Sequence, residues 1–136
     1  MKMFMDTAGW LMLADASDKL HITALETRDK WLEEGGIFIS TDYVLDETIT
    51  LIRMRLGIDA AEEWWKMVSS SSRIQWEWMN SDRIERAMTW FFRWRDKKLS
   101  FTDCTSFALM KELKLSKALT CDKHFKTAGF EIYPPG

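Results

Sequence analysis

The stretch that decides the fold is Ala118-Leu119-Thr120-Cys121-Asp122-Lys123-His124-Phe125-Lys126-Thr127-Ala128-Gly129-Phe130-Glu131-Ile132-Tyr133. A short apolar run at 118–121 ends on an acid, one or two helical turns follow over 123–128, and Gly129 stops them before a second apolar run at 131–133. That pattern reads as strand, brief helix, strand. Working back from it, residues from Thr102 or Asp103 to Leu115 carry a helical pattern, as do those from Asn80 or Ser81 to Arg95. Ile74 to Trp78 alternates in β-branched and aromatic residues and predicts a strand. Helices are expected over 59–68, 42–56 and from Ser17 or Asp18 to Glu34, where Gly35-Gly36 ends the run. Ile37-Phe38-Ile39 and residues 2–5 complete five short strands. Strands alternating with helices imply an α/β domain with a mainly parallel sheet and right-handed crossovers.

The chain has 136 residues with 19 Lys+Arg and 21 Asp+Glu, and 46% of its residues are hydrophobic. The length fits one domain over 1–136, since the only prolines, Pro134 and Pro135, stand at the end and no repeat or long linker interrupts it. Eight Trp and eight Phe are too much apolar mass for a disordered chain. No 18-residue apolar run exists, so no membrane span is expected. Asp6 breaks the stretch that faintly imitates a secretory leader, and a cytoplasmic location is expected. Cys104 and Cys121, with no CxxC or Cys/His cluster, read as reduced, buried thiols. The stretch 83–126 holds eleven Lys/Arg against five Asp/Glu, an imbalance that often marks a partner surface.

Four carboxylates stand where ordinary core or surface residues are expected. Asp6 and Asp122 end strands, and in a parallel sheet ligands bind at the carboxyl ends of strands near a topological switch point. Glu47 falls on the inward stripe of its helix with Val44, Thr48, Leu51 and Ile52, where an unpaired carboxylate is costly. Its cation is either Arg55, two turns on, or a metal. Asp103 opens a helix and reads by itself as a cap. Jointly the four acids suit a hard divalent cation, which takes oxygen ligands and activates water for attack on a phosphoryl group. Nucleophilic catalysis fits poorly: His21 reads as a packed or surface histidine, His124 only grazes the acids, and no GxSxG, Walker A or GxGxxG motif occurs.

Four segments, MFMDTAGWL (3–11), STDYVLDETITLIRMRLG (40–57), DKKLSFTDCTSFALMKELKL (96–115) and ALTCDKHFKTAGF (118–130), together resemble the PIN domain family, and within it the VapC-type toxins of toxin–antitoxin pairs. The resemblance implies a three-layer domain with a five-stranded, mainly parallel sheet flanked by helices. It also implies Mg²⁺- or Mn²⁺-dependent cleavage of RNA by water, with the family's acidic quartet on Asp6, Glu47, Asp103 and Asp122 and supporting hydroxyls on Thr7, Thr102 and Thr120. A homodimer and an antitoxin that covers the cleft are implied partners.

On that reading Arg83, Arg86, Arg93, Arg95, Lys97 and Lys98 are candidate phosphate contacts. Trp90, Phe91, Phe92 and Trp94 either stack bases or pack in the core, and one of the adjacent Trp64 and Trp65 is expected at the surface. A nuclease of RNA maturation and a non-catalytic PIN-like scaffold are the alternatives. Receiver and haloacid-phosphatase readings fail because Thr7 and Ala8 stand where those families need acids. Setting the four acids aside leaves 17 acids against 19 bases, so the formal charge of −2 does not exclude a nucleic-acid partner.

Overall fold

A computed structural model describes residues 1–135. The five strands are β1 (Lys2–Met5), β2 (Ile37–Thr41), β3 (Ile74–Glu77), β4 (Lys117–Leu119) and β5 (Glu131–Tyr133). They pair only in parallel, in the order β3-β2-β1-β4-β5. The helices are α1 (Thr7–Ala14), α2 (His21–Glu33), α3 (Asp42–Leu56), α4 (Ile58–Ser70), α5 (Ser81–Arg93), α6 (Phe101–Glu112) and α7 (His124–Thr127). Consecutive residues Met3, Phe4 and Met5 of the central strand are all buried, so both faces of the sheet are covered. The expected three-layer α/β architecture is therefore present.

The chain builds outward from β1 through β2 to β3, then returns to lay β4 and β5 on the other side of β1. The switch point lies between β1 and β4, where an open parallel sheet leaves a crevice at its carboxyl edge. Met5 pairs with Leu119, so the next residues along, Asp6 and Thr120, meet at that edge.

Helix α1 was not expected from the sequence. Thr7-Ala8-Gly9-Trp10-Leu11-Met12-Leu13-Ala14 is apolar nearly all round, so it lacks the one-sided stripe that marks a surface helix. Its burial requires Gly9: a Cβ there would run into the Leu119 carbonyl and the Met5 sulfur. Other boundaries shift for local reasons. α2 begins at His21 because the Asp18 carboxylate accepts the Leu20 N–H at 2.8 Å and closes a turn first. β4 ends at Leu119, which leaves Asp122 three residues beyond the strand. Cys121 lies in that connection and is exposed, so only Cys104 is buried as expected. Trp64 is buried and Trp65 is 43% exposed, as their angular offset predicts.

Candidate active site

Asp6 and Asp122 follow strands, Asp103 lies in the first turn of α6, and Glu47 projects from the second turn of α3. Asp6 follows β1 directly and is 3% exposed. Its Oδ2 accepts a hydrogen bond from the Thr120 hydroxyl at 3.0 Å, and the Asp122 N–H donates to the same Thr120 oxygen at 3.0 Å. Thr120 thus ties together the segments that follow β1 and β4. Burial, then repulsion from Asp103 and Asp122, pushes the Asp6 carboxyl up to about 7, against the hydrogen bonds from Thr120 and the Thr7 backbone that favour its charge.

Asp103 is the third residue of α6. Ser100 is the cap: its hydroxyl accepts the Asp103 N–H at 3.0 Å, and Asp103 Oδ2 accepts the Ser100 N–H at 3.3 Å. The cap is therefore Ser100 and not Asp103, which completes the capping box from the third helical position with one carboxylate oxygen engaged. Burial and the neighbouring Asp122, with a smaller push from Glu47, raise the Asp103 carboxyl above its ordinary range against the Ser100 hydrogen bonds. Glu47 is half-buried on α3, while Arg55 is exposed and makes no ion pair with it. Among the described residues no side-chain cation pairs with Glu47 to make it structural.

Asp103, Asp122 and His124 can bring ligand atoms within 4.8 Å of one another. Asp6 joins them through Thr120 and through its repulsion with both aspartates, and Glu47 is felt at Asp103. His124 is the member that sequence reasoning undervalued. Its Nδ1 lies 3.0 Å from Asp122 Oδ1, and its backbone N–H donates to that same oxygen at 2.9 Å. The signal available was the Asp-x-His spacing in the turn that opens α7.

The hydroxyls divide. Thr120 holds Asp6, whereas the Thr7 hydroxyl accepts a bond from Thr48 at 3.3 Å and Thr7 supports Asp6 through its backbone. Thr102 contributes its carbonyl, which accepts from Thr105 and Ser106 inside α6, and its hydroxyl bonds to none of the acids. Of the candidate phosphate contacts, Arg83 is committed elsewhere: it bridges Glu77 at 2.9 Å and Glu112 at 2.8 Å with its side chain only 15% exposed. Arg86 shares Glu112 at 2.8 Å but remains open to solvent. Arg93 lies over the Trp90 ring at 5.3 Å, and Arg95, Lys97 and Lys98 are exposed in the connection to α6. Trp90 and Trp94 pack against Phe107, so the core reading holds for them, while Phe91 and Phe92 are exposed.

No helix among the described residues is long and apolar enough to cross a membrane. Residues 3–131 match the PIN domain family. The chain is 33% identical over 132 residues to the 23S rRNA-specific endonuclease VapC20 of Mycobacterium tuberculosis, covering 96% of this chain and 98% of that protein, in the sequences of two strains. The crystal structure of VapC20, a sarcin–ricin-loop-cleaving toxin, superposes with a TM-score of 0.85 at 32% identity over 94% of this chain and 95% of that one. The sheet order, the acids gathered at its switch point and these matches agree, and the chain belongs to the PIN domain family.

Proposed function

We propose that this chain is a metal-dependent ribonuclease, the toxin of a type II toxin–antitoxin pair, that hydrolyses RNA phosphodiester bonds with water and leaves a 5′-phosphate. The observation that carries the reading is the set of acids at the β1/β4 switch point, none of which pairs with a Lys or Arg among the described residues. Burial and neighbouring carboxylates raise Asp6 and Asp103, an arrangement that a divalent cation relieves.

The donor set fits the family's metal. It is made of carboxylate oxygens, as Mg²⁺ and Mn²⁺ prefer, with one imidazole at its margin. Asp6, Glu47, Asp103 and Asp122 would hold the ion, directly or through water. When bound it supplies a polarised phosphoryl oxygen and a water of lowered pKa.

The chain's own residues prepare that chemistry. Thr120 fixes the Asp6 carboxylate, Ser100 occupies one oxygen of Asp103, and His124 restrains Asp122. Arg86, Arg93, Arg95, Lys97 and Lys98 are the phosphate contacts in this reading, and Arg83 supports them through Glu112. The relative's activity makes 23S rRNA, and its sarcin–ricin loop, the first RNA to test. A cytoplasmic homodimer held inactive by an antitoxin completes the proposal.

The test is cleavage of that RNA with Mg²⁺ or Mn²⁺ and with EDTA. Activity should need the metal and should vanish in Asp103→Asn at unchanged circular dichroism. An Asp103→Asn protein that cuts at the wild-type rate overturns the assignment.

A further inference from the structure

A row of four aromatic rings leads away from the acids. Tyr43 and Phe101 lie with ring centroids 6.2 Å apart, Phe101 and Phe91 5.8 Å apart, and Phe91 and Phe92 5.4 Å apart. Tyr43 is one helical turn before Glu47 on α3, and Phe101 is two residues before Asp103 on α6. Tyr43 thus shares a helix face with Glu47, while Phe101, two residues before Asp103 and so on another side of α6, joins the row through Tyr43. The row then crosses to α5 and ends at the surface, with Phe91 38% and Phe92 57% exposed.

Two features select the occupant. The rings meet at steep interplanar angles of 59°, 78° and 79°, edge towards face, and the exposure of Phe91 and Phe92 is what leaves room for a flat ligand. In the chain the outer end of the row also leads directly into the exposed Arg93, Arg95, Lys97 and Lys98, with Asp96 the one acid among them. Aromatic faces beside cations that follow a backbone are the means by which proteins hold unpaired nucleotides.

From this we infer that Tyr43, Phe101, Phe91 and Phe92 form a base-stacking platform that seats unstacked RNA bases next to the scissile phosphate. The inference rests on the ribonuclease reading. Tyr43 and Phe101 take the bases nearest the acids, and Phe91 and Phe92 take those further out. The platform positions substrate and holds no reacting atom.

Binding is measured by fluorescence anisotropy with an end-labelled single-stranded oligoribonucleotide, in the Asp103→Asn background with Mg²⁺ present. Phe91→Ala and Phe92→Ala each weaken Kd by about 5- to 150-fold, the range for losing one stacked base. Phe92→Tyr, which keeps the ring, restores it. In the active protein the same Ala variants raise KM far more than they lower kcat. Met54→Ala, at an exposed apolar position eleven residues along α3 from Tyr43, leaves Kd at the wild-type value. The exposed positions of Phe91 and Phe92 keep these variants folded even if Phe101→Ala is not. Unchanged Kd in both Ala variants, with wild-type RNA cleavage intact, overturns the platform alone. Loss of a dimer by sedimentation in Phe92→Ala, with Kd following dimer content, assigns the surface to a second copy and overturns it too. A wild-type protein that cuts no RNA with Mg²⁺ overturns the ribonuclease reading first.

Discussion

Two groups of carboxylates in this molecule have opposite electrostatic fates. Glu77 and Glu112 share the guanidinium of Arg83, with Arg86 closing the network on Glu112. The hydrogen bond from Arg83 is the chief reason the Glu112 carboxyl is held below its ordinary range, and Glu112 in turn raises Arg83. At the switch point none of the four acids pairs with a guanidinium or ammonium among the described residues, and burial with repulsion from neighbouring carboxylates raises Asp6 and Asp103 instead. The same residue types make a fastening in one place and a site in the other. The difference is whether the sequence supplies the cation. Carboxylates paired within the chain stabilise it, whereas those left without a partner store repulsion that an added ion relieves.

The largest test of that contrast is Asp103→Asn. It should cut the rate of RNA cleavage by about a thousandfold or more, because water activation and charge stabilisation by a metal are together worth several kcal/mol. Thermal denaturation of the metal-free variant should show a melting temperature at or above the wild type's, since a repulsive charge is gone. A lowered value would mean that Asp103 is structural.

Gly9→Ala perturbs the site by geometry instead of charge. The new methyl has no room against the Leu119 carbonyl, so α1 must move off β4 and take Asp6 with it. Denaturant unfolding should show a loss of about 1–3 kcal/mol, the usual cost of overpacking. Activity should fall in step with the displacement of Asp6.

Removing the cation from the other group gives a smaller change. Arg83→Met leaves Glu77 and Glu112 without their shared donor and should cost about 1–2 kcal/mol of stability, discounted because both glutamates reach solvent. The comparison predicts that KM for RNA changes less in this variant than in Arg95→Ala, measured by steady-state cleavage. The reverse order would return Arg83 to the substrate contacts.

The mildest test is pH. A carboxyl raised in the folded state binds its proton more tightly there than when unfolded. The folded protein then holds more protons between the ordinary Asp value of 3.8 and about 7, so the contribution of Asp6 to stability falls as pH rises through that window. Glu112 works the other way, and its contribution is lost as pH falls through its lowered value. At pH 7, Mg²⁺ or Mn²⁺ should therefore raise the melting temperature by on the order of 5 °C at saturating concentration. The gain should shrink toward pH 5 as protons compete with the ion. A metal-induced shift that is flat with pH would separate the acids from the binding event.

Much of this was legible in the chain because local patterns report it. Gly35-Gly36 and Gly129 mark stops, and the strand runs are short and apolar. The acids announced themselves by position: Glu47 broke an inward stripe, and Asp6 and Asp122 followed strands. Helix α1 was not legible, because a helix apolar nearly all round has no period to read. Arg83 looked like any other base in a positive stretch, since nothing in the sequence says that Glu77 and Glu112 converge on it from β3 and α6. His124 was discounted for the same reason, because its worth depends on Asp103 lying across the cleft.

By itself, then, the sequence determined which segments other than α1 become strands and helices, which acids stand in unexpected places and which family the motifs resemble. These are consequences of short-range periodicity and of burial costs that each residue carries with it. Only the tertiary structure decided which charges meet. Parallel pairing of Met5 with Leu119 sets Asp6 against Thr120 across 114 positions of chain, and the α3–α6 contact sets Tyr43 beside Phe101. Electrostatic partnership depends on distance in space, and residues far apart in the chain acquire that distance only when the sheet and its helices close.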